Sequence, residues 1–160
     1  MKDKSYRVII LGAGGRDFHN FLVYFKDNPA FNVVAFTAAQ IPGIEKRSFP
    51  KVLAGRLYKK DIPIYTEKKL PFLIKKLHVD YCFLSYSDLS HQEVMEMASL
   101  VLSSGANFSL LGTKDTQLKS KKPIISVTAV RTGCGKSQTS RKIATIHQGF
   151  GKGCRDKKSN

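Results

Sequence analysis

The chain has 160 residues and a mass of 17.9 kDa, the size of one domain. Its composition, 42% hydrophobic and 24% charged, excludes wholesale disorder, and no apolar run approaches the ~20 residues of a membrane span. The net charge is +15, of which residues 114–160, with twelve basic and two acidic side chains, carry +10. The expected partners are therefore polyanions: nucleotide phosphates, a phosphorylated metabolite or nucleic acid.

The beginning of the chain and its cysteines indicate the compartment. Only five apolar residues follow Arg7, too few for a secretory signal, so we expect an intracellular, cytoplasmic protein. The cysteines Cys82, Cys134 and Cys154 are odd in number and lack disulfide-framework or metal-ligand spacing. Cys82 lies in an apolar run and is predicted to be a buried thiol.

Strands and helices alternate along the first two thirds of the chain. Short apolar runs predict strands at residues 7–11, 32–37, 62–65, 81–86 and 107–111. Helices are predicted at 17–25, 68–77 and from Ser90 to Gly105, with Ser90 and Glu93 forming a capping box. Residues 41–57, rich in proline and glycine, are predicted to be a long irregular loop. This order predicts an α/β fold, a doubly wound, Rossmann-like parallel sheet with helices on both faces.

The chain changes character after residue 113. Residues 1–113 form the predicted Rossmann-like domain, and residues 114–123 form a basic connector. An apolar run at 124–129 predicts another strand, followed by a glycine turn and a helix to about Ile146. Residues 124–147 therefore have the pattern of the start of a P-loop NTPase domain. The remainder, 148–160, lacks a packing pattern and is predicted to be a disordered basic tail.

The first glycine turn, Gly12-Ala-Gly-Gly15, has the chemistry of a phosphate cradle before a helix. As a dinucleotide signature it is weak, because Asp17 stands where a third glycine or alanine is needed. A cation and several hydrogen-bonding side chains at this turn suit a small, highly charged ligand. The alternative is that Asp17 caps the helix and the others are solvated. The candidate ligand-binding residues here are Gly12, Gly14, Gly15, Arg16, Asp17, His19 and Asn20.

Two further candidates follow the strand at 81–86. His91, near Asp88, has the position of a general base or a ligand-holding imidazole at the carboxyl end of a strand. The alternative is a solvent-facing histidine at the start of a helix.

The second glycine turn, Val130-Arg-Thr-Gly-Cys-Gly-Lys-Ser137, matches the P-loop except that Val130 replaces the first glycine. Backbone N–H groups would surround the β-phosphate of ATP or GTP, Lys136 would reach the β and γ oxygens, and Ser137 would bind Mg²⁺. The alternative is a glycine turn with a coincidental Lys-Ser pair. The predicted nucleotide-binding residues are Arg131, Thr132, Gly133, Cys134, Gly135, Lys136, Ser137 and Gln138.

These segments together resemble the archaeal cyclic 2,3-diphosphoglycerate synthetase family and its P-loop GTPase-like relatives, over about residues 6–146. The similarity lies in Leu11-Gly-Ala-Gly-Gly-Arg-Asp-Phe-His-Asn-Phe21, Ala35-Phe-Thr-Ala-Ala-Gln-Ile-Pro-Gly-Ile44, Tyr86-Ser-Asp-Leu-Ser-His91, and Ser120-Lys-Lys-Pro-Ile124 with Ala129-Val-Arg-Thr-Gly-Cys-Gly-Lys-Ser-Gln-Thr-Ser-Arg141. The resemblance implies a Rossmann-like domain followed by a P-loop domain that uses ATP and Mg²⁺ to close 2,3-bisphosphoglycerate into a cyclic anhydride.

Family members extend well beyond the P-loop helix, so the resemblance also implies a chain truncated after that helix, by a shortened or frameshifted gene, and inactive alone. Its partners would be a nucleotide and a phosphorylated small molecule, without membrane or nucleic acid. A homodimer is expected because such sheets commonly pair and an unpartnered P-loop strand would leave an exposed edge that favours association. The alternative function is a non-catalytic Rossmann module that binds NAD(P), coenzyme A or a phosphorylated ligand through Gly12–Gly15. Nucleic-acid binding rests only on the basic tail.

Overall fold

The computed structural model describes residues 5–12, 15–39, 47–86, 88–128 and 134–155, with 149–155 described by their backbone alone. The chain divides into two compact units, Met1–Leu118 and Lys119–Asn160. No helix within the described ranges is long and apolar enough to span a bilayer.

The first unit is built on one six-stranded sheet, in the order β3-β4-β2-β1-β5-β6. All neighbouring strands are parallel except the antiparallel pair β3 and β4. This confirms the predicted α/β class with a mainly parallel sheet. The strands are β1 (Tyr6–Leu11), β2 (Phe31–Ala38), β3 (Ser48–Phe49), β4 (Ile62–Thr66), β5 (Tyr81–Leu84) and β6 (Asn107–Leu110).

Strand β1 lies at the centre of this sheet. It pairs with β2 on one side and β5 on the other, and its last four residues have no exposed surface. A strand covered on both faces carries a continuous apolar run, and here that run is Val8-Ile-Ile-Leu11.

Helices cover both faces of the sheet. Successive side chains of a strand point to opposite faces, so Val8 and Ile10 pack into one core with Phe21, whereas Ile9 and Leu11 pack into another. The helices are α1 (Arg16–Asn20, continued by a π-helical turn at Phe21–Phe25), α2 (Lys51–Ala54), α3 (Leu70–Lys76, preceded by a 3-10 turn at Glu67–Lys69), α4 (His91–Ser103) and α5 (Thr113–Thr116).

The segment predicted as one irregular loop contains two short elements, β3 and α2, so that prediction is wrong for residues 48–54. Asp61 organises them, because its carboxylate accepts hydrogen bonds from the Ser48 hydroxyl (3.1 Å) and the Lys51 N–H (2.9 Å). Phe49 is buried in the aromatic core. Residues 41–46 lie outside the described ranges.

The second unit differs from the prediction in two respects. Residues 124–128 form no strand, and Ile124 and Ile125 are 63% and 66% exposed. A strand needs a neighbour for its N–H and C=O groups, and the described part of this unit provides none. Helix α6 spans Lys136–Arg155, so the predicted disorder is wrong for 148–155. Its backbone hydrogen bonds do not require the apolar pattern on which the prediction relied. Residues 129–133 and 156–160 lie outside the described ranges.

Candidate functional site

The candidate ligand site of the first unit lies where β1, β2 and β5 end. The chain leaves β1 toward β2 on one side of the sheet, whereas β5 continues to β6 on the other. In parallel α/β sheets, ligands bind outside the carboxyl ends of the strands at such a reversal. Gly12 follows β1, Thr37 lies near the end of β2, and Ser85 follows β5.

Gly12 lies between the ends of β2 and β5. Its N–H donates a 3.0 Å hydrogen bond to the carbonyl oxygen of Thr37, and its φ is +125°. A Cβ atom at this position would lie 3.5 Å from the carbonyl carbon of Ser85 and 3.6 Å from the Tyr86 nitrogen. The positive φ, more than the available space, makes this a glycine position.

Asp17 turns back onto the glycine turn. Its Oδ1 accepts a 2.8 Å hydrogen bond from the N–H of Gly15, and its side chain is 1% exposed. In a phosphate cradle, the Gly15 N–H would donate a hydrogen bond to the bound anion. Here it donates to the Asp17 carboxylate instead. Gly14 lies outside the described ranges.

Asn20 connects α1 to the end of β5. Its Nδ2 donates a 2.9 Å hydrogen bond to Oγ of Ser85, and both residues are buried. Asn20 Oδ1 and Thr37 Oγ1 are also buried, and neither has a hydrogen-bond partner among the described residues. Sequence reasoning missed Thr37 and Ser85. The only available signal was a polar residue at the end of each of two apolar strands.

The remaining predicted ligand residues do not join this buried polar group. Nε2 of His19 lies 2.8 Å from the carbonyl oxygen of Thr116. Because a carbonyl oxygen only accepts hydrogen bonds, Nε2 carries the proton in this contact. Arg16, Asp88 and His91 are exposed. The structure thus brings Gly12, Asp17 and Asn20 together at the strand ends and leaves Arg16, Asp88 and His91 at the surface.

Tyr86, also missed from the sequence, links three strand ends. Its hydroxyl donates a 2.7 Å hydrogen bond to Glu67 Oε2 and accepts one of 3.0 Å from the Ala39 N–H. Burial, then the hydrogen bond and charge of Glu67, raise the pKa of Tyr86 well above its usual value. The phenol therefore remains a proton donor at neutral pH.

A groove with two lobes runs along these strand ends and one side of α4. The lobes have volumes of about 430 and 490 Å³ and share Ala39, Glu67, Met97 and Leu100. We call it the carboxyl-edge groove; its other lining residues are Ala38, Thr66 and Lys68 in the first lobe and Tyr86, Leu89, Glu93 and Glu96 in the second.

The second glycine turn lies in the second unit and opens α6. Gly135 has a φ of +89°, and its carbonyl oxygen accepts the N–H groups of Gln138 and Thr139, each at 3.1 Å. The Lys136 ammonium lies 3.9 Å from Sγ of Cys134, and Ser137 is exposed. Arg131, Thr132 and Gly133 lie outside the described ranges. Within those ranges no group of three or more His, Cys, Asp or Glu side chains could hold a metal ion.

Comparison with known proteins gives one extensive sequence match. Over 148 residues the chain is 58% identical to a protein named arginine synthetase ArcE, from Thermococcus kodakarensis. The match covers 92% of this chain and 33% of that protein, so the chain spans about a third of the length of its relative. No protein-family model matches the chain.

Comparison of structures supports the fold. A crystal structure of RSP, a Rex-family repressor, superposes with a TM-score of 0.50 at 19% sequence identity, covering 73% of this chain and 50% of RSP. RSP in complex with beta-NADH gives a TM-score of 0.46 at 16% identity, covering 99% and 65% of the two chains. At this level of identity, the first superposition supports the Rossmann-like α/β architecture alone.

Proposed function

Since the chain belongs, over these 148 residues, to the cyclic 2,3-diphosphoglycerate synthetase family, we propose that it provides binding elements of an ATP-dependent synthetase. The second glycine turn would bind the nucleotide phosphates, and the strand ends of the first unit would bind the small-molecule substrate. The observation that carries this proposal is the sequence Gly133-Cys-Gly-Lys-Ser137 at the start of a 20-residue helix.

The described part of the glycine turn fits a nucleotide. The first turn of a helix directs N–H groups and a positive dipole end outward, and both attract phosphate. Gly135 has a conformation that L side chains rarely adopt, and the nearest atom to a Cβ there is Gln138 Oε1 at 3.9 Å, so the backbone is accessible. Lys136 would bind phosphate oxygens, and the Ser137 hydroxyl would bind Mg²⁺. ATP would supply the phosphoryl group that activates an oxygen of the substrate.

For the substrate, the name of the relative favours a reaction that yields arginine. The family resemblance supports a second candidate, closure of 2,3-bisphosphoglycerate to its cyclic anhydride. Both reactions begin with phosphoryl activation at the same nucleotide site, so they differ only in what the first unit binds.

The non-catalytic dinucleotide module is less well supported. Such a module needs backbone N–H groups of the first glycine turn for the pyrophosphate. In this chain the carboxylate of Asp17 accepts the Gly15 N–H and places a negative charge beside it.

The proposal is tested by the thermal stability of the full chain with Mg-ATP, L-arginine, 2,3-bisphosphoglycerate or NAD. A site filled at ~100 times its dissociation constant adds about 2.7 kcal/mol. We expect stabilisation by Mg-ATP that is lost in Lys136→Ala and retained in Lys142→Ala, which removes an exposed lysine later in α6. Stabilisation by Mg-ATP that survives Lys136→Ala would refute the nucleotide site. Stabilisation by NAD alone would favour the dinucleotide module.

We also propose that the protein forms a homodimer, supported by the exposed apolar side chains of Ile124 and Ile125 in a segment that pairs with no strand among the described residues. Light scattering with size-exclusion chromatography would give twice the mass of the chain if this is correct and 17.9 kDa if it is not.

A further inference from the structure

The carboxyl-edge groove has a charge opposite to that of the chain. The chain carries 27 basic and 12 acidic residues. Three of those twelve, Glu67, Glu93 and Glu96, line the larger lobe, and no lysine or arginine does. Lys68 lines the other lobe. The net charge of +15 repels cations from the protein as a whole. The carboxylates of this cavity attract a cation locally in spite of that repulsion.

The interior of the larger lobe is mainly apolar. Leu89, Met97 and Leu100 provide aliphatic and thioether surface between the carboxylates, and Leu100 is 40% exposed. A bare inorganic cation would gain nothing from this surface. An organic cation with an aliphatic stem would bury the stem against it and leave its charged end at the carboxylates.

One carboxylate is held in position for such a contact. Glu67 begins the 3-10 turn after β4, and Tyr86 fixes its Oε2 with a 2.7 Å hydrogen bond. The Glu96 carboxylate accepts a 2.9 Å hydrogen bond from the Gln92 side chain. The Glu93 carboxylate accepts a hydrogen bond from the Ser90 N–H. Glu67 is also common to both lobes, so a ligand in either one meets its carboxylate.

We infer that the carboxyl-edge groove binds a small organic cation with an aliphatic stem, a guanidinium or alkylammonium compound, with Glu67 as its main charged contact. This inference rests on the proposed function in so far as it assigns the arginine-type ligand of the synthetase to this groove. The groove lies outside the ends of β2 and β4, where parallel α/β sheets bind their ligands.

The experiment is a calorimetric titration of the full 160-residue chain with L-arginine and with L-citrulline, whose neutral ureido group has nearly the shape of guanidinium. We expect arginine to bind about tenfold more tightly than citrulline, the difference expected for a hydrogen bond to a charged partner. In Glu67→Gln, which retains a partner for Tyr86, this preference should disappear. Asp27→Asn makes the same charge change at an exposed position before the start of β2 and should preserve the preference.

Glu96→Gln provides a second variant if Glu67→Gln folds poorly, because Glu96 is exposed and its carboxylate accepts a hydrogen bond from Gln92 one turn earlier in the same helix. It should weaken arginine binding without affecting citrulline. Equal affinities for arginine and citrulline, no heat with arginine, or unchanged preference in Glu67→Gln would overturn the inference. If arginine does not bind while Mg-ATP still stabilises the chain through Lys136, the groove assignment fails and the proposed nucleotide site stands. If arginine binds while Mg-ATP has no effect on stability, the groove assignment stands and the proposed nucleotide site fails.

Discussion

The phenolic hydroxyl of Tyr86 connects to Glu67 at 2.7 Å and, through the Ala39 N–H at 3.0 Å, to the end of β2. The three residues follow three different strands, and the hydroxyl group joins the end of β5 to the ends of β2 and β4, with which β5 does not pair. Because Glu67 and Tyr86 both line the carboxyl-edge groove, the same contact shapes its wall.

Tyr86→Phe should lower the free energy of unfolding by about 1–2 kcal/mol, since it leaves a partly buried carboxylate and a backbone N–H without their partner. Urea unfolding measures the change. Tyr6→Phe is the matched control because Tyr6 is 47% exposed. Equal effects of the two substitutions would show that the hydroxyl of Tyr86 contributes nothing specific.

Much of the first unit could be predicted from local patterns. The apolar run Val8–Leu11 indicated a strand buried on both faces, and Ser90 followed by Glu93 indicated the start of α4. In each case the physical cause acts within a few residues: burial of a short strand, or reciprocal capping of a helix end. The structure contains both, with the capping box complete.

The candidate site could not be predicted in the same way, because it depends on which strands are neighbours. Thr37, Ser85 and Tyr86 meet the glycine turn only because β1 lies between β2 and β5. Nothing in the residues around Ser85 indicates that Asn20, 65 positions earlier, contacts it. At residues 124–128 the sequence predicted a strand that the structure lacks. An apolar pattern alone cannot show whether a neighbouring strand exists to pair with it.

Thr37→Val should leave stability unchanged or raise it by up to about 1 kcal/mol, because it removes a buried hydroxyl that lacks a hydrogen-bond partner among the described residues. Asn20→Ala should instead lower it by about 1–3 kcal/mol, since it breaks the buried bond to Ser85. Urea unfolding of the two variants gives both values. A clear loss in Thr37→Val would mean that its hydroxyl has a partner, such as a buried water.

Ser90→Ala should lower stability by about 1 kcal/mol through loss of the N-cap of α4. It should also reduce the dependence of stability on pH. Hydrogen bonds from the Ser90 side chain and backbone lower the pKa of Glu93. A lowered carboxyl pKa gives stability that is present above the pKa of the unfolded chain, about 4.3, and is lost as the pH falls through the folded pKa.

Unfolding curves between pH 3 and 7 should therefore show a smaller decline toward acid pH in Ser90→Ala than in the original chain. Ser99→Ala is the control, because the exposed Ser99 hydroxyl donates its hydrogen bond to the Met95 carbonyl within the same helix, away from the N-cap. If the two variants retain the same pH dependence, Glu93 does not derive its lowered pKa from the Ser90 side chain.

The thiol of Cys82 should resist labelling in the folded protein. Burial raises its pKa to about 12, and the residue has no exposed surface in the middle of β5. Thiolate, the reactive form, is therefore scarce at pH 8, and the reagent cannot reach the sulfur. A Cys134→Ser, Cys154→Ser double variant leaves Cys82 as the only thiol. We expect its reaction with an aromatic disulfide reagent to be at least about 100-fold slower in buffer than in 8 M urea. A rate in buffer close to that in urea would mean that β5 opens readily and that the central sheet is less stable than its packing indicates.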